Sequence, residues 1–72
     1  STGYTIKCPL PGTVLSINVK VGDTIATGQT LVILEAMKME NNIDADRAGV
    51  VKQIFVQQGA TVMEGDNLIL IE

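Results

Sequence analysis

The chain has no histidine, no tryptophan, a single cysteine and only two aromatic residues, Tyr4 and Phe55. Each scarcity removes a class of function. Without histidine, and with Cys8 as the one thiol, no Cys/His metal framework can be assembled, so no metal site is expected. The commonest general acid–base is also missing. No nucleophile–base constellation and no phosphate-binding loop stands out, and no catalytic residue is expected. One cysteine cannot form an internal disulfide, so 72 residues must hold together by apolar packing and tight turns. A lone thiol suits a reducing compartment: the cytoplasm, or the mitochondrial matrix in a eukaryote. Five scattered basic residues, Lys7, Lys20, Lys38, Arg47 and Lys52, against eight acids leave a net charge of −3, which argues against nucleic acid as a partner. No apolar run is long enough to insert in a membrane, and no signal peptide is visible. The start at Ser1 rather than Met suggests a processed or excised piece.

What remains is 46% hydrophobic and largely β-branched. A core of Val, Ile, Leu and Met carried on strands is the expectation. The main organising feature is an internal repeat. Residues 12–35 align with residues 49–72 at an offset of 37 without a gap, with nine identities. These include three glycine pairs, Gly12/Gly49, Gly22/Gly59 and Gly28/Gly65, too ordered a set for chance. Each half reads as four short strands, near 4–8, 13–20, 24–26 and 31–35, then 40–44, 50–57, 61–63 and 68–72. Glycines punctuate the halves and should include turn positions of positive φ. Pro9 and Pro11 fall at the first strand's exit. Helix is not expected, because no window holds a 3.6-residue apolar face. The alternation breaks between Val14 and Ile17, and again between Val51 and Ile54, which suggests a bulge in each half. Two such halves each expose an apolar face, and pairing them buries both. The expectation is one all-β domain over 1–72, repeating about 3–35 in 40–72. It should be a flattened barrel or sandwich of two four-stranded antiparallel sheets with pseudo-twofold symmetry.

Between the halves lies Glu35-Ala36-Met37-Lys38-Met39-Glu40. Strand 31–35 runs in and strand 40–44 runs out, so residues 36–39 should form a tight hairpin turn. Such tips favour Gly, Asn, Asp or Pro. A lysine between two methionines is unusual there, because exposed methionine forgoes burial. The plain alternative is a solvated lysine with the methionines folded back onto the core. Other polar residues have ordinary readings. Glu40, Asp44 and Asp46 make a solvated face before they make a guide for a partner. Cys8 fits a small core or edge position, and Met63 fits core filling.

Glu35-Ala36-Met37-Lys38-Met39 resembles the attachment motif of the biotinyl, or biotin carboxyl carrier, domains of biotin-dependent carboxylases, decarboxylases and transcarboxylases. Pro9-Leu10-Pro11-Gly12, Val21-Gly22-Asp23-Thr24-Ile25 and Gly28-Gln29-Thr30-Leu31 resemble the family's turn segments, so the likeness spans almost the whole chain. The resemblance implies the barrel-sandwich hybrid fold, with the modified lysine on the hairpin between the fourth and fifth strands. It implies covalent biotin on Lys38, with Glu35, Ala36, Met37 and Met39 as the flanking motif. It also implies a swinging-arm carrier that is not itself an enzyme. A biotin protein ligase would load it, and a biotin carboxylase and a carboxyltransferase or decarboxylase would use it. The isolated domain would be monomeric. The halves align without a gap, which leaves no room for a protruding thumb and resembles the thumbless carriers. Lipoyl domains resemble the same fold, but with Asp before the lysine and a small residue after it, unlike Met37 and Met39. A cofactor-free interaction module remains the reading of another class. Pseudo-twofold symmetry puts Lys38 in register with Ser1, so Lys38 should lie opposite both termini, with the first and last strands paired.

Overall fold

The structure, a computed structural model, describes residues 3–72. It contains eight strands: β1 Tyr4–Lys7, β2 Gly12–Ile17, β3 Thr24–Ile25, β4 Thr30–Ala36, β5 Met39–Asp44, β6 Gly49–Ile54, β7 Thr61–Val62 and β8 Asn67–Ile71. They form two four-stranded antiparallel sheets in the orders β1-β8-β6-β3 and β5-β4-β2-β7. The sheets are open, so the molecule is a flattened sandwich rather than a closed barrel. The repeat has a direct structural counterpart. Moving each strand four places along the chain converts one sheet order into the other. The expected bulges are present too, as register shifts between Val14 and Ser16 and between Val51 and Gln53.

The buried set shows why the halves need each other. Ile6, Cys8, Val14, Ile25, Leu31, Val32 and Leu34 are buried, and so are their partners 37 residues on: Ile43, Ala45, Val51, Val62, Leu68, Ile69 and Ile71. Burying each Val, Leu or Ile is worth about 1.5–3 kcal/mol, and neither half can cover its own apolar face. The core contains no methionine, which corrects the expected composition. Met37, Met39 and Met63 are all exposed, so Met63 does not fill the core. Its turn sets it outside the last paired residue of β7, Val62. Cys8 is buried as a small core side chain, its thiol donating to the Leu10 carbonyl at 3.0 Å.

Strands β2 and β6 end sooner than the apolar pattern suggests. Beyond Ile17 the Asn18 N–H still reaches the Leu31 carbonyl, and Phe55 likewise reaches Leu68, both at 2.8 Å. The chain then closes a turn in which the Lys20 N–H donates to the Asp23 carboxylate at 2.9 Å. Gly22, Gly28, Gly59 and Gly65 have φ between 86° and 97°. Gly12 and Gly49 do not, and serve another purpose. A Cβ on Gly12 would lie 2.5 Å from the Glu35 carbonyl oxygen, and one on Gly49 would lie 3.0 Å from that of Glu72. Glu35 and Glu72 are themselves repeat partners, so each half uses a glycine to bring its own second and fourth strands together.

The first and last strands pair as expected, with Tyr4 opposite Ile71. A Cβ on Gly3 would meet the Glu72 side chain, which places the two ends of the described chain side by side. Ser1, and with it the register match to Lys38, lies outside the described residues. The Tyr4 hydroxyl donates to the Arg47 carbonyl at 2.8 Å and the Arg47 guanidinium stacks 4.3 Å from its ring, closing that pole. Desolvation, reinforced by the Asp46 carboxylate, raises the Tyr4 phenol above its ordinary value. From Met39 the chain runs the length of β5 away from the hairpin, and Gly49 arrives beside Glu72. The hairpin and the ends of the described chain therefore occupy opposite poles of a body 34 Å long and 18 × 17 Å across.

Candidate functional site

The β4–β5 hairpin is built from its root upward. Leu31, Val32 and Leu34 anchor β4 in the core, and Ala36 is its last buried residue. Ala36 packs against Gly12 of β2, where any side chain would crowd it: a Cβ on Gly12 would stand 3.2 Å from that of Ala36. Ala36 pairs with Met39, which leaves Met37 and Lys38 as a two-residue turn. Both have positive φ, 54° and 63°. That pair of signs is the mark of a type I′ turn, which matches the right-handed twist of the strands. Side chains with a Cβ are strained there, by about 1–3 kcal/mol per residue. The Asn41 amide steadies the outgoing strand by donating to the Met39 carbonyl at 3.1 Å.

The five residues of the motif thus receive distinct places. Ala36 is buried at the root. Glu35, Met37, Lys38 and Met39 are exposed, with Met37 at 89% and Met39 at 66%. The alternative in which the methionines fold onto the core does not hold. Lys38 takes part in no hydrogen bond or ion pair among the described residues, so its amine stands free in solvent at the tip. Glu35 and Glu40 face each other directly across the ladder, two carboxylates below the amine. Like charges so placed are destabilising. Asp44 accepts from the Thr30 hydroxyl at 2.8 Å and Asp46 pairs with Arg47 at 3.5 Å, both on solvated surface.

Chemically, the arrangement offers one long, unencumbered primary amine, held at the end of a rigid ladder and flanked by soft apolar side chains. Among the described residues no group of His, Cys, Asp and Glu could hold a metal ion. Nor is any helix long and apolar enough to cross a membrane. Sequence reasoning missed two contributors. Gly12 acts by close approach rather than by φ, and the signal was its partner Gly49. Asn41 was hidden by its resemblance to any solvated strand residue.

A family model described as biotin-requiring enzyme, of the biotin/lipoyl type, matches residues 4–71. A biotin carboxyl carrier protein of Streptococcus mutans is 55% identical over 71 residues, which are 99% of this chain and 55% of that protein. A biotin/lipoyl attachment protein of Bacillus subtilis is 45% identical over 65 residues, 90% of this chain and 89% of its own length. The crystal structure of the urea carboxylase of Kluyveromyces lactis superposes with a TM-score of 0.93 at 28% identity, covering 100% of this chain and 6% of that one. The chain thus spans about half of the first relative and a small part of the large carboxylase. With its fold and nearly its whole length matched, the chain belongs to the biotin/lipoyl family of biotin-requiring enzymes.

Proposed function

We propose that Lys38 carries biotin as an amide, and that residues 1–72 form one carrier domain that presents it to two active sites in turn. The observation that supports this most is the free amine of Lys38, at a strained two-residue turn between two exposed methionines. A ligase makes the bond: Nζ gives up two protons and gains the acyl carbon, and the activated carboxyl group sheds its leaving group. Bound biotin supplies a ring nitrogen that accepts and releases a carboxyl group. Everything else the chain does is presentation. The lysine stem reaches outward, the hairpin holds its root, and the opposite pole leaves the chain ends clear of the partner. Tethering raises the effective concentration of the cofactor at each site within reach.

On this reading the domain is a non-catalytic carrier in a cytoplasmic or matrix carboxylase system. Its partners are a biotin protein ligase, a biotin carboxylase and a carboxyltransferase or decarboxylase, and the isolated domain is a monomer. Intact mass after incubation with ligase, ATP and biotin should show one biotinyl addition, abolished in Lys38→Arg. An addition that survives the substitution overturns the site. A lipoyl addition, obtained with a lipoylating enzyme where biotin fails, overturns the cofactor.

A further inference from the structure

The turn that bears Lys38 is also the only covalent link between the two halves of the repeat, 3–36 and 39–72. Most of the ladder runs between those halves rather than within them. The pairs β1–β8, β3–β6, β4–β5 and β2–β7 each take one strand from either half. The turns repeat the pattern. Gly22 and Gly59 donate to the carbonyls of Val51 and Val14, both at 2.8 Å. Gly28 and Gly65 donate to those of Ala45 and Cys8, at 2.7 and 2.8 Å. Donors and acceptors in these pairs are repeat partners, so each half gives the other the bonds it receives. Neither half buries its own apolar face, and the complement of each is the other.

Nothing in those contacts requires both halves to come from one chain. A first half can close on the second half of its own chain or on that of another copy. Two opposed effects decide between them. A two-residue connection makes the half in the same chain very concentrated, which favours the monomer in dilute solution. The same connection is strained, because Met37 and Lys38 hold φ at 54° and 63° with side chains ill suited to it. Straightening residues 37 and 38 releases that strain and sacrifices no contact between the halves, provided a second copy supplies the complement. Short connections under strain invite this kind of exchange between identical chains.

We propose that the chain forms a half-exchanged dimer. Residues 3–36 of each copy pack against residues 39–72 of the other, and residues 37 and 38 run extended between two bodies of unchanged fold. The partner is a second copy of this chain, and the interface is the interior the monomer already has. Pairing through the open edge of β5 is the less favourable route to a dimer. It would bring the exposed carboxylates of Glu40 and Asp44 of one copy against those of the other. Exchange moves Lys38 from a free pole to a crossover between two bodies. On the reading of Lys38 given above, the dimer is a form of the carrier that cannot enter a partner's active site; the dimer itself does not depend on that reading.

The test is refolding of the full chain from urea over a range of concentrations, with mass read by light scattering after size-exclusion chromatography. While the dimer is the minor form, each roughly tenfold rise in concentration should raise the dimer-to-monomer ratio about tenfold. The double variant Met37→Asn/Lys38→Gly, whose residues suit positive φ, should lower that ratio by about tenfold or more. Exchange itself is read by complementation. Val14→Asp and Val51→Asp each spoil one half at a buried repeat position, so neither chain should fold alone. Refolded together, they should form one sound body from the sound half of each, seen as a cooperative melt in a complex containing both chains. Should either variant fold alone, Leu31→Asp with Leu68→Asp repeats the measurement at another fully buried pair. A chain that stays monomeric at every concentration overturns the proposal. So does a dimer indifferent to the turn variant, which would assign it to the exposed edges, and so does a mixture as unfolded as its parts.

Discussion

At the scale of single residues, the tip is a place where stability has been set aside. Met37 and Lys38 both occupy the left-handed region, and Glu35 faces Glu40 across the ladder. Asparagine tolerates positive φ far better than methionine. Because Met37 is 89% exposed, replacing it forfeits little burial. Met37→Asn should therefore stabilise the fold by about 0.5–1 kcal/mol, a rise of about 2–8 °C in Tm. Thermal unfolding checks this, and a lower Tm would show that the turn carries no strain. The importance of Lys38 was legible in the sequence because its neighbours violate the preferences of a turn. Met63 was not legible, because an apolar residue next to a short strand looks the same whether it faces core or solvent. Only the register, which brings β7 beside β2, separates the two.

At the scale of elements, the repeat made the eight strands and their order of burial legible, since period-two alternation and recurring glycine are local signals. What each glycine does was not legible, because one letter stands for two physical needs. Gly28 supplies a positive φ with open space around its missing Cβ, whereas Gly12 supplies space against the Glu35 carbonyl. The distinction predicts opposite responses. Gly28→Ala should cost about 1 kcal/mol, and Gly28→Asn should recover most of it. Gly12→Ala should cost about 2–3 kcal/mol, because backbone on both sides must give way, and Gly12→Asn should be worse. Urea unfolding of the four variants checks the order. Equal rescue by asparagine at both sites would refute the close-approach role. The ends of β2 and β6 were overestimated for a related reason. Val19 and Val56 continue the apolar pattern, but the hydrogen bonds of the following turn take the backbone out of the ladder.

At the scale of the whole molecule, pairing of β1 with β8 gathers the ends of the described chain at the pole opposite Lys38. Spin labels at Arg47 and Glu72 should report a short distance, since the Tyr4–Arg47 contact and the Tyr4–Ile71 pair bring both to that pole. Labels at Lys38 and Glu72 should approach the 34 Å length of the body. Equal distances would contradict the two-pole arrangement. The same topology also fixes an order of events during folding. Of the strand pairs, only β4–β5 joins neighbours in sequence. A hairpin of that kind can close in about 1–10 μs, whereas domains dominated by distant pairings fold in milliseconds to seconds. The segment bearing Lys38 can therefore take shape early, while β1, made before the other seven strands, has no ladder partner until β8 follows.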